Sequence, residues 1–176
     1  MSKPASPSAA LPITQAVLRI LIILNWVSGA GILALLAMGP INRRWIMSEF
    51  DLSPSPEASH LVLGLRAVAV IGLFAIPVYY FILSRMLAIV ETVRAGDPFV
   101  AANAARLQSI AWAQLALVFL GFFVDVVSKA VSIESHPLDF DTSFSIEGAL
   151  AVLLTFVLAR VFAAGTALRD DLEGTV

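Results

Sequence analysis

The 176-residue sequence contains no cysteine, has only two histidines, and carries charge on just 14% of its residues. The absence of cysteine excludes disulfides, thiolate metal sites and catalysis by a thiol. Charged residues make up roughly 25% of an average soluble chain, so their scarcity here argues against a water-soluble globule. The net charge of −2 provides no general basic surface, and we therefore expect no direct contact with nucleic acid.

Apolar residues make up 59% of the chain and are concentrated in four long runs. A helix needs about 20 predominantly apolar residues to cross the hydrocarbon core of a bilayer. The runs predict an all-α fold, a four-transmembrane-helix bundle in the lipid bilayer, with spans at residues 16–38, 61–83, 107–130 and 148–168. We expect residues 13–176 to form a single membrane domain, and the Ser-, Pro- and Ala-rich residues 1–12 to form a disordered leader.

The distribution of Lys and Arg predicts the orientation of the chain, because basic connections resist translocation. One side of the spans receives six of these residues and the other side receives three, which are respectively Lys3, Arg19, Arg85, Arg94, Arg106 and Arg169, and Arg43, Arg44 and Lys129. This pattern predicts that both termini lie inside, an N-in/C-in topology. The connections at about residues 39–60 and 131–147 are then outer loops.

The helical pattern of the second and third spans continues beyond the membrane, since residues 84–106 keep an amphipathic spacing. Gly96 marks the end of one helix, Asp97 is a good N-cap for the next, and Pro98 suits its first turn. We therefore predict that helices 2 and 3 extend as an antiparallel cytoplasmic hairpin with its tip at about residues 84–106. A cytoplasmic C-terminal helical tail follows the fourth span.

Two ionisable residues within the spans are predicted to form a pair. In a hairpin that turns near Gly96 and Asp97, residues whose numbers sum to about 193 face one another. Arg66 and Asp125 sum to 191, and an ionisable residue inside a membrane needs a partner or water. We predict an intramembrane ion pair that fixes the registry of the two helices, and an ion or proton site is the alternative.

The remaining polar residues of the spans favour structural roles. Asn25, Gln114 and Arg160 are expected to hydrogen-bond between helices. His60 and His136 fall at the outer ends of spans, which argues against haem, and we expect solvated loop residues there rather than a metal site. No His, Cys or Asp lies near a midplane, so we predict no catalytic residues, no metal, no cofactor and no enzymatic activity.

Two segments carry a resemblance to a known family. The first comprises Gly96, Asp97, Pro98, Phe99, Asn103, Arg106, Leu107, Ile110 and Trp112. The second comprises Leu158, Ala159, Arg160, Val161, Phe162, Gly165, Leu168 and residues 172–176. Both resemble a bacterial family of small integral membrane proteins known as domain of unknown function 2975. The resemblance implies a four-span, multi-pass protein of the bacterial cytoplasmic (inner) membrane without an established activity.

Members of that family are often encoded beside a very small helix-turn-helix regulator. The resemblance therefore implies a regulatory or sensory membrane subunit that contacts such a transcription regulator or another protein partner. The residues expected to contact it are Gly96, Asp97, Pro98, Phe99, Asn103, Arg106, Arg169 and Leu172. The alternatives are a small-solute transporter or channel and a structural accessory subunit of a membrane complex. Small residues in the spans also permit a homo-oligomer.

Overall fold

Four long helices account for most of the residues that the computed structural model describes, which are 10–38, 47–48, 56–131 and 146–173. They are α1 (Ala10–Ala37), α2 (Pro56–Arg94), α3 (Ala101–Val131) and α4 (Ile146–Glu173). Each is long and apolar enough to cross a membrane. The predicted all-α fold with four membrane-spanning helices is thus confirmed. With 39 residues, α2 extends over about 58 Å, nearly twice the thickness of the hydrocarbon core.

Two helices begin earlier in the chain than the sequence pattern suggests. α1 begins at Ala10, so it includes Pro12 from the predicted leader, and residues 1–9 lie outside the described part. α2 begins at Pro56 rather than at residue 61. Proline is compatible with both places because the first-turn N–H groups of a helix have no intrahelical acceptor. Most of the predicted outer loops, including His136, also lie outside the described residues.

The four helices form an open bundle in which each helix packs on its neighbour in chain order. α1 contacts α2, α2 contacts α3, and α3 contacts α4. Within the described ranges, no other pair of helices brings Cα atoms within 8 Å of each other. The middle helices therefore have neighbours on two sides, whereas α1 and α4 each have a neighbour on one side only.

The outer faces of the helices carry large apolar side chains. Phe74 on α2 is 65% exposed, and Leu154 on α4 is 67% exposed. In water such a surface would be strongly unfavourable, but lipid tails are as apolar as these side chains and remove the penalty. The exposed apolar surface is therefore what four helices in contact with lipid require.

The contact between α1 and α2 depends on a small residue and a polar one. A Cβ atom on Gly29 would lie 3.1 Å from Cγ2 of Ile76, so glycine allows the two helices to approach closely. Nearby, Nδ2 of Asn25 donates a hydrogen bond of 3.0 Å to the backbone carbonyl of Ile76. The rings of Trp26 and Tyr80 pack one turn away, with 5.5 Å between their centroids. Close backbone approach and a hydrogen bond are typical stabilising features between helices in lipid.

Candidate functional site at the hairpin tip

The tip of the α2–α3 hairpin is a turn built around Gly96. This residue has a φ of 86°, which is a left-handed conformation that glycine adopts without strain. The N–H of Gly96 donates to the carbonyl of Val93 and the N–H of Asp97 donates to that of Thr92. These two bonds form a Schellman motif, which satisfies the last carbonyls of α2. The predicted helix end at Gly96 therefore has a defined backbone cause.

Residues 97–100 leave the helical path and dock on α4. The guanidinium of Arg169 donates to the carboxylate of Asp97, and the rings of Phe99 and Phe162 lie 5.4 Å apart. A Cβ atom on Gly165 would come within 3.0 Å of the Phe99 ring, so this contact needs a glycine. The prediction that Asp97 caps α3 and Pro98 begins it was wrong, since α3 begins at Ala101. The contacts with α4 hold the connecting residues outside the helix.

Asn103 connects the three parts of the tip through its side chain, which is fully buried. Its Nδ2 donates to Oγ1 of Thr92 at 2.6 Å and to the carbonyl of Pro98 at 2.9 Å. Its Oδ1 accepts from Arg106 at 2.8 Å. The amide thus ties the end of α2, the turn and the start of α3 together. The direct partner contact predicted for Asn103 does not fit its burial, because only its neighbours reach the surface.

The other residues predicted to contact a partner lie together at this end of the molecule. Gly96, Phe99, Arg169 and Leu172 are exposed, and Asp97, Pro98 and Arg106 are partly exposed. The beginning of α1 also reaches the tip, since Nη1 of Arg94 donates to Oε1 of Gln15 at 3.1 Å. The beginning of α1, the turn and the end of α4 therefore lie on the same side of the four helices. We refer to this side as the tip end.

One arginine on each helix marks a common height near the tip end. Contacts across the hairpin join Thr92 to Asn103 and Gly64 to Val131, and both pairs sum to 195. Arg106 is therefore level with residue 89, about 6 Å along the helix axis from Arg85. Trp26 of α1 lies against Tyr80 of α2, so Arg19, seven residues nearer the tip end, is level with residue 87 of α2. Phe156 of α4 lies against Trp112 of α3, so Arg160, four residues nearer the tip end, is level with residue 108 of α3. All four arginines thus lie within about 3 Å of one height, which we call the arginine level.

Arg66 and Asp125 mark a second level on α2 and α3. They lie 19 residues from Arg85 and Arg106, respectively, which corresponds to about 28 Å of helix. The residues between the two levels carry no charge on either helix. This spacing matches the roughly 30 Å of a hydrocarbon core. The arginine level was not predicted from the sequence, although Arg85 and Arg106 have the same sum of residue numbers, 191, as Arg66 and Asp125.

The matching family model bears the description Protein of unknown function (DUF2975) and covers residues 42–176, more than three quarters of the chain. The chain belongs to this family. The resemblance read from its sequence is therefore confirmed. No curated protein matches the chain, and no solved structure matches it. α1 ends before the matched part begins.

The two segments by which the DUF2975 family was recognised pack against each other in the structure. The first includes Asp97 and Phe99 at the tip, and the second includes Phe162 and Gly165 on α4. The ring contact and the close approach at Gly165 join them directly. Parts of the two segments that carry the family resemblance therefore meet at the tip end.

At the far end of this DUF2975 protein, Asp125 pairs with a residue of its own helix. Nζ of Lys129 lies 2.8 Å from its carboxylate, one turn further along α3. The carboxylate side chain is only 14% exposed, whereas that of Lys129 is 71% exposed. The predicted ion pair between Arg66 and Asp125 stays a prediction.

The two other polar residues noted in the spans have different surroundings. Gln114 lines a small apolar groove between α2, α3 and α4, and its Oε1 is buried without a hydrogen-bond partner among the described residues. Arg160 is exposed beside a groove between α3 and α4. His60 is exposed, and no three His, Asp or Glu side chains come together for a metal within the ranges that the structure describes. The absence of a metal, cofactor or active site stays a prediction.

Proposed function

We propose that this protein is a regulatory or sensory subunit of the bacterial inner membrane, which holds a soluble protein at its tip end in the cytoplasm. The observation that carries the proposal is a pair of exposed apolar side chains at the end of α4. Leu168 is 66% exposed and Leu172 is 71% exposed, and they lie one turn apart on one face.

The height of these two leucines distinguishes them from the lipid-facing residues. Leu168 lies eight residues past Arg160, and Leu172 lies twelve residues past it, which places them about 12 and 18 Å beyond the arginine level. The headgroup region adds only about 5–8 Å to each side of the hydrocarbon. Both leucines therefore extend into water, where an exposed apolar pair favours contact with another protein.

The charge of this surface favours a basic partner. Asp170 and Asp171 lie between the two leucines in sequence, and both are exposed. A helix-turn-helix regulator carries basic residues where it contacts DNA phosphates. An acidic and apolar helix end suits such a surface, so that the membrane protein would hold the regulator away from DNA and release it in response to a signal.

The orientation of the molecule is part of the same proposal. Arg19, Arg85, Arg106 and Arg160 lie towards the tip end, and Arg94 and Arg169 lie beyond them. Basic residues that flank spans stay preferentially in the cytoplasm. The tip end would therefore face the cytoplasm with both termini inside, and the predicted outer loops would face away from it.

The experiment introduces a photo-crosslinking amino acid into the full chain in native membranes, with coexpression of a small helix-turn-helix regulator of the kind encoded beside members of the family. Leu172 is the test position, and Leu154 is a matched control. The two differ by 18 residues, which is five turns, so they share one face of α4 and are similarly exposed. We expect an adduct with the soluble regulator from Leu172 and adducts with lipid from Leu154.

Charge reversal gives a second arm of this experiment. Asp170→Lys together with Asp171→Lys should reduce the protein adduct at Leu172 several-fold without changing the lipid adducts at Leu154. Equal protein adducts at both positions, or none at Leu172, would contradict the proposal. Flux of small solutes into liposomes that requires Arg66 and Asp125 would support transport instead.

A further inference from the structure

A groove between α3 and α4 combines polar and apolar groups at the arginine level. Its volume is about 390 Å³, and its polar lining comes from Gln108 and Arg160. Trp112 and Phe156 form an edge-to-face ring pair, with 5.3 Å between their centroids, at the end of the groove that lies nearer the middle of the membrane. Four alanines, two from each helix, line the rest and leave room above the backbone. The groove is therefore open, and the guanidinium group of Arg160 lies at its edge.

Arg160 differs in its contacts from Arg85 and Arg106 at the arginine level. Arg106 donates to Asn103, and Arg85 lies over the ring of Phe81 at 4.9 Å. Arg160 makes no hydrogen bond and no ion pair with any residue in the described ranges. Its guanidinium can thus bind an anion with two parallel hydrogen bonds. None of the eight residues that line the groove is acidic, so nothing in the lining competes for this cation.

A second groove continues from the first towards the middle of the membrane. Trp112 lines both, and the second is bounded by Pro77, Val78 and Phe81 of α2 and by Ala113 and Ala116 of α3. Its volume is about 530 Å³, and its lining is almost wholly apolar. Ala116 lies ten residues past Arg106, or about 15 Å into the hydrocarbon. The combined surface is thus polar at the height of headgroups and apolar at the height of lipid tails.

We infer that these two grooves bind one anionic phospholipid. Its phosphate lies against Arg160 and Gln108, and one acyl chain runs past Trp112 into the apolar groove. The cation and the amide are donors suited to phosphate oxygens, and an indole at this depth is typical of a membrane interface. A zwitterionic headgroup fits less well because its ammonium group finds no acidic partner in the lining. The inference is independent of the proposed protein partner at Leu168 and Leu172.

The test uses the full chain with Trp26→Phe and Trp45→Phe, so that Trp112 is the only indole. The protein is reconstituted in phosphatidylcholine vesicles that contain a minor fraction of brominated lipid, which quenches tryptophan fluorescence on contact. Brominated phosphatidylglycerol and brominated phosphatidylcholine are compared at equal fractions. One basic residue near a membrane surface accounts for about a fivefold preference for anionic lipid. We expect Trp112 to contact brominated phosphatidylglycerol in preference to brominated phosphatidylcholine by at least this factor, as measured by the quenching of its fluorescence.

Three variants in the same background locate the preference. Arg160→Gln should abolish it, and Arg160→Lys should retain part of it, because lysine keeps the charge but not the paired geometry. Arg19→Gln is the matched control, since Arg19 is also exposed at the arginine level but lies on α1. This variant should keep the full preference.

Three results would overturn the inference. Equal quenching by both brominated lipids would show that the groove does not select an anionic headgroup. An unchanged preference in Arg160→Gln would show that the selection arises elsewhere. Inorganic phosphate added to the vesicles should leave the quenching by phosphatidylglycerol unchanged, and displacement of the lipid by phosphate would identify a free-anion site instead.

Discussion

Replacing Asn103 with alanine should release the hairpin tip while leaving the four helices in place. The substitution removes hydrogen bonds of 2.6 and 2.9 Å to Thr92 and Pro98 and one of 2.8 Å from Arg106. Two neutral bonds contribute about 1 kcal/mol each, and one with a charged donor contributes about 1.5–3 kcal/mol. Alanine recovers roughly 0.5 kcal/mol of helix propensity. Water also replaces part of the loss near the surface, so we expect a net cost of about 2–4 kcal/mol.

Amide hydrogen exchange of the full chain in lipid nanodiscs measures this cost where it arises. A local opening that becomes easier by about 2–4 kcal/mol accelerates exchange about 30- to 700-fold, since 1.4 kcal/mol corresponds to a factor of ten. We expect this acceleration in peptides that cover residues 92–106. Peptides from α1 between residues 20 and 36 should exchange as in the unmodified protein.

Thr155→Ala is a suitable control for Asn103→Ala. Oγ1 of Thr155 donates only to the carbonyl of Ala151 in its own helix, at 2.8 Å. Its removal therefore breaks no hydrogen bond between different segments of the chain. Exchange at the tip should stay within about threefold of the unmodified protein. Two outcomes would show that Asn103 does not hold the tip together. Exchange at the tip would be similar in Asn103→Ala and Thr155→Ala, or Asn103→Ala would accelerate exchange equally in all four helices.

Two further predictions concern the packing of the spans and are measured by unfolding in mixed micelles of sodium dodecyl sulfate and a mild detergent. Gly29→Val should lower the free energy of unfolding by about 1–3 kcal/mol because its side chain meets Ile76. Gly31→Val should change it little because no atom of the described residues lies within 4 Å of a Cβ at that position. Equal effects of the two substitutions would contradict the packing of α1. Gln114→Leu should raise the free energy by about 1 kcal/mol because a buried acceptor without a hydrogen-bond partner among the described residues is removed. A loss of stability would mean that the amide is bound by a group outside those residues.

The lengths of the helices followed from the sequence more readily than their arrangement. Runs of apolar residues define spans because the hydrocarbon sets a minimum length. They do not show which face of a helix packs on a neighbour, since lipid and protein interior are equally apolar and every face can be hydrophobic. The open bundle, in which α1 contacts α2 alone among the described helices, therefore could not be predicted from the pattern.

The tip shows the same limit for local rules. Gly96 was predicted to end a helix because the reason is local, namely a backbone conformation that glycine tolerates. Asp97 and Pro98 also matched local rules for the start of a helix, but Arg169 and Phe162 on a distant helix decide where the connection runs. The burial of Asn103 was missed for a similar reason, because a polar residue beside an exposed turn gives no sign that three segments will surround it.

The open bundle has a consequence for how the chain is made. Because the described helices pack only on their neighbours in chain order, every new helix that enters the membrane finds the helix made just before it already there. No early helix has to wait for a later one to close a ring, and the contacts between helices join neighbours along the chain. The ion pair between Asp97 and Arg169 joins the connection before α3 to the end of α4, 72 positions away. This ion pair can form only after Arg169 has been made, so the tip end is assembled only once α4 is present.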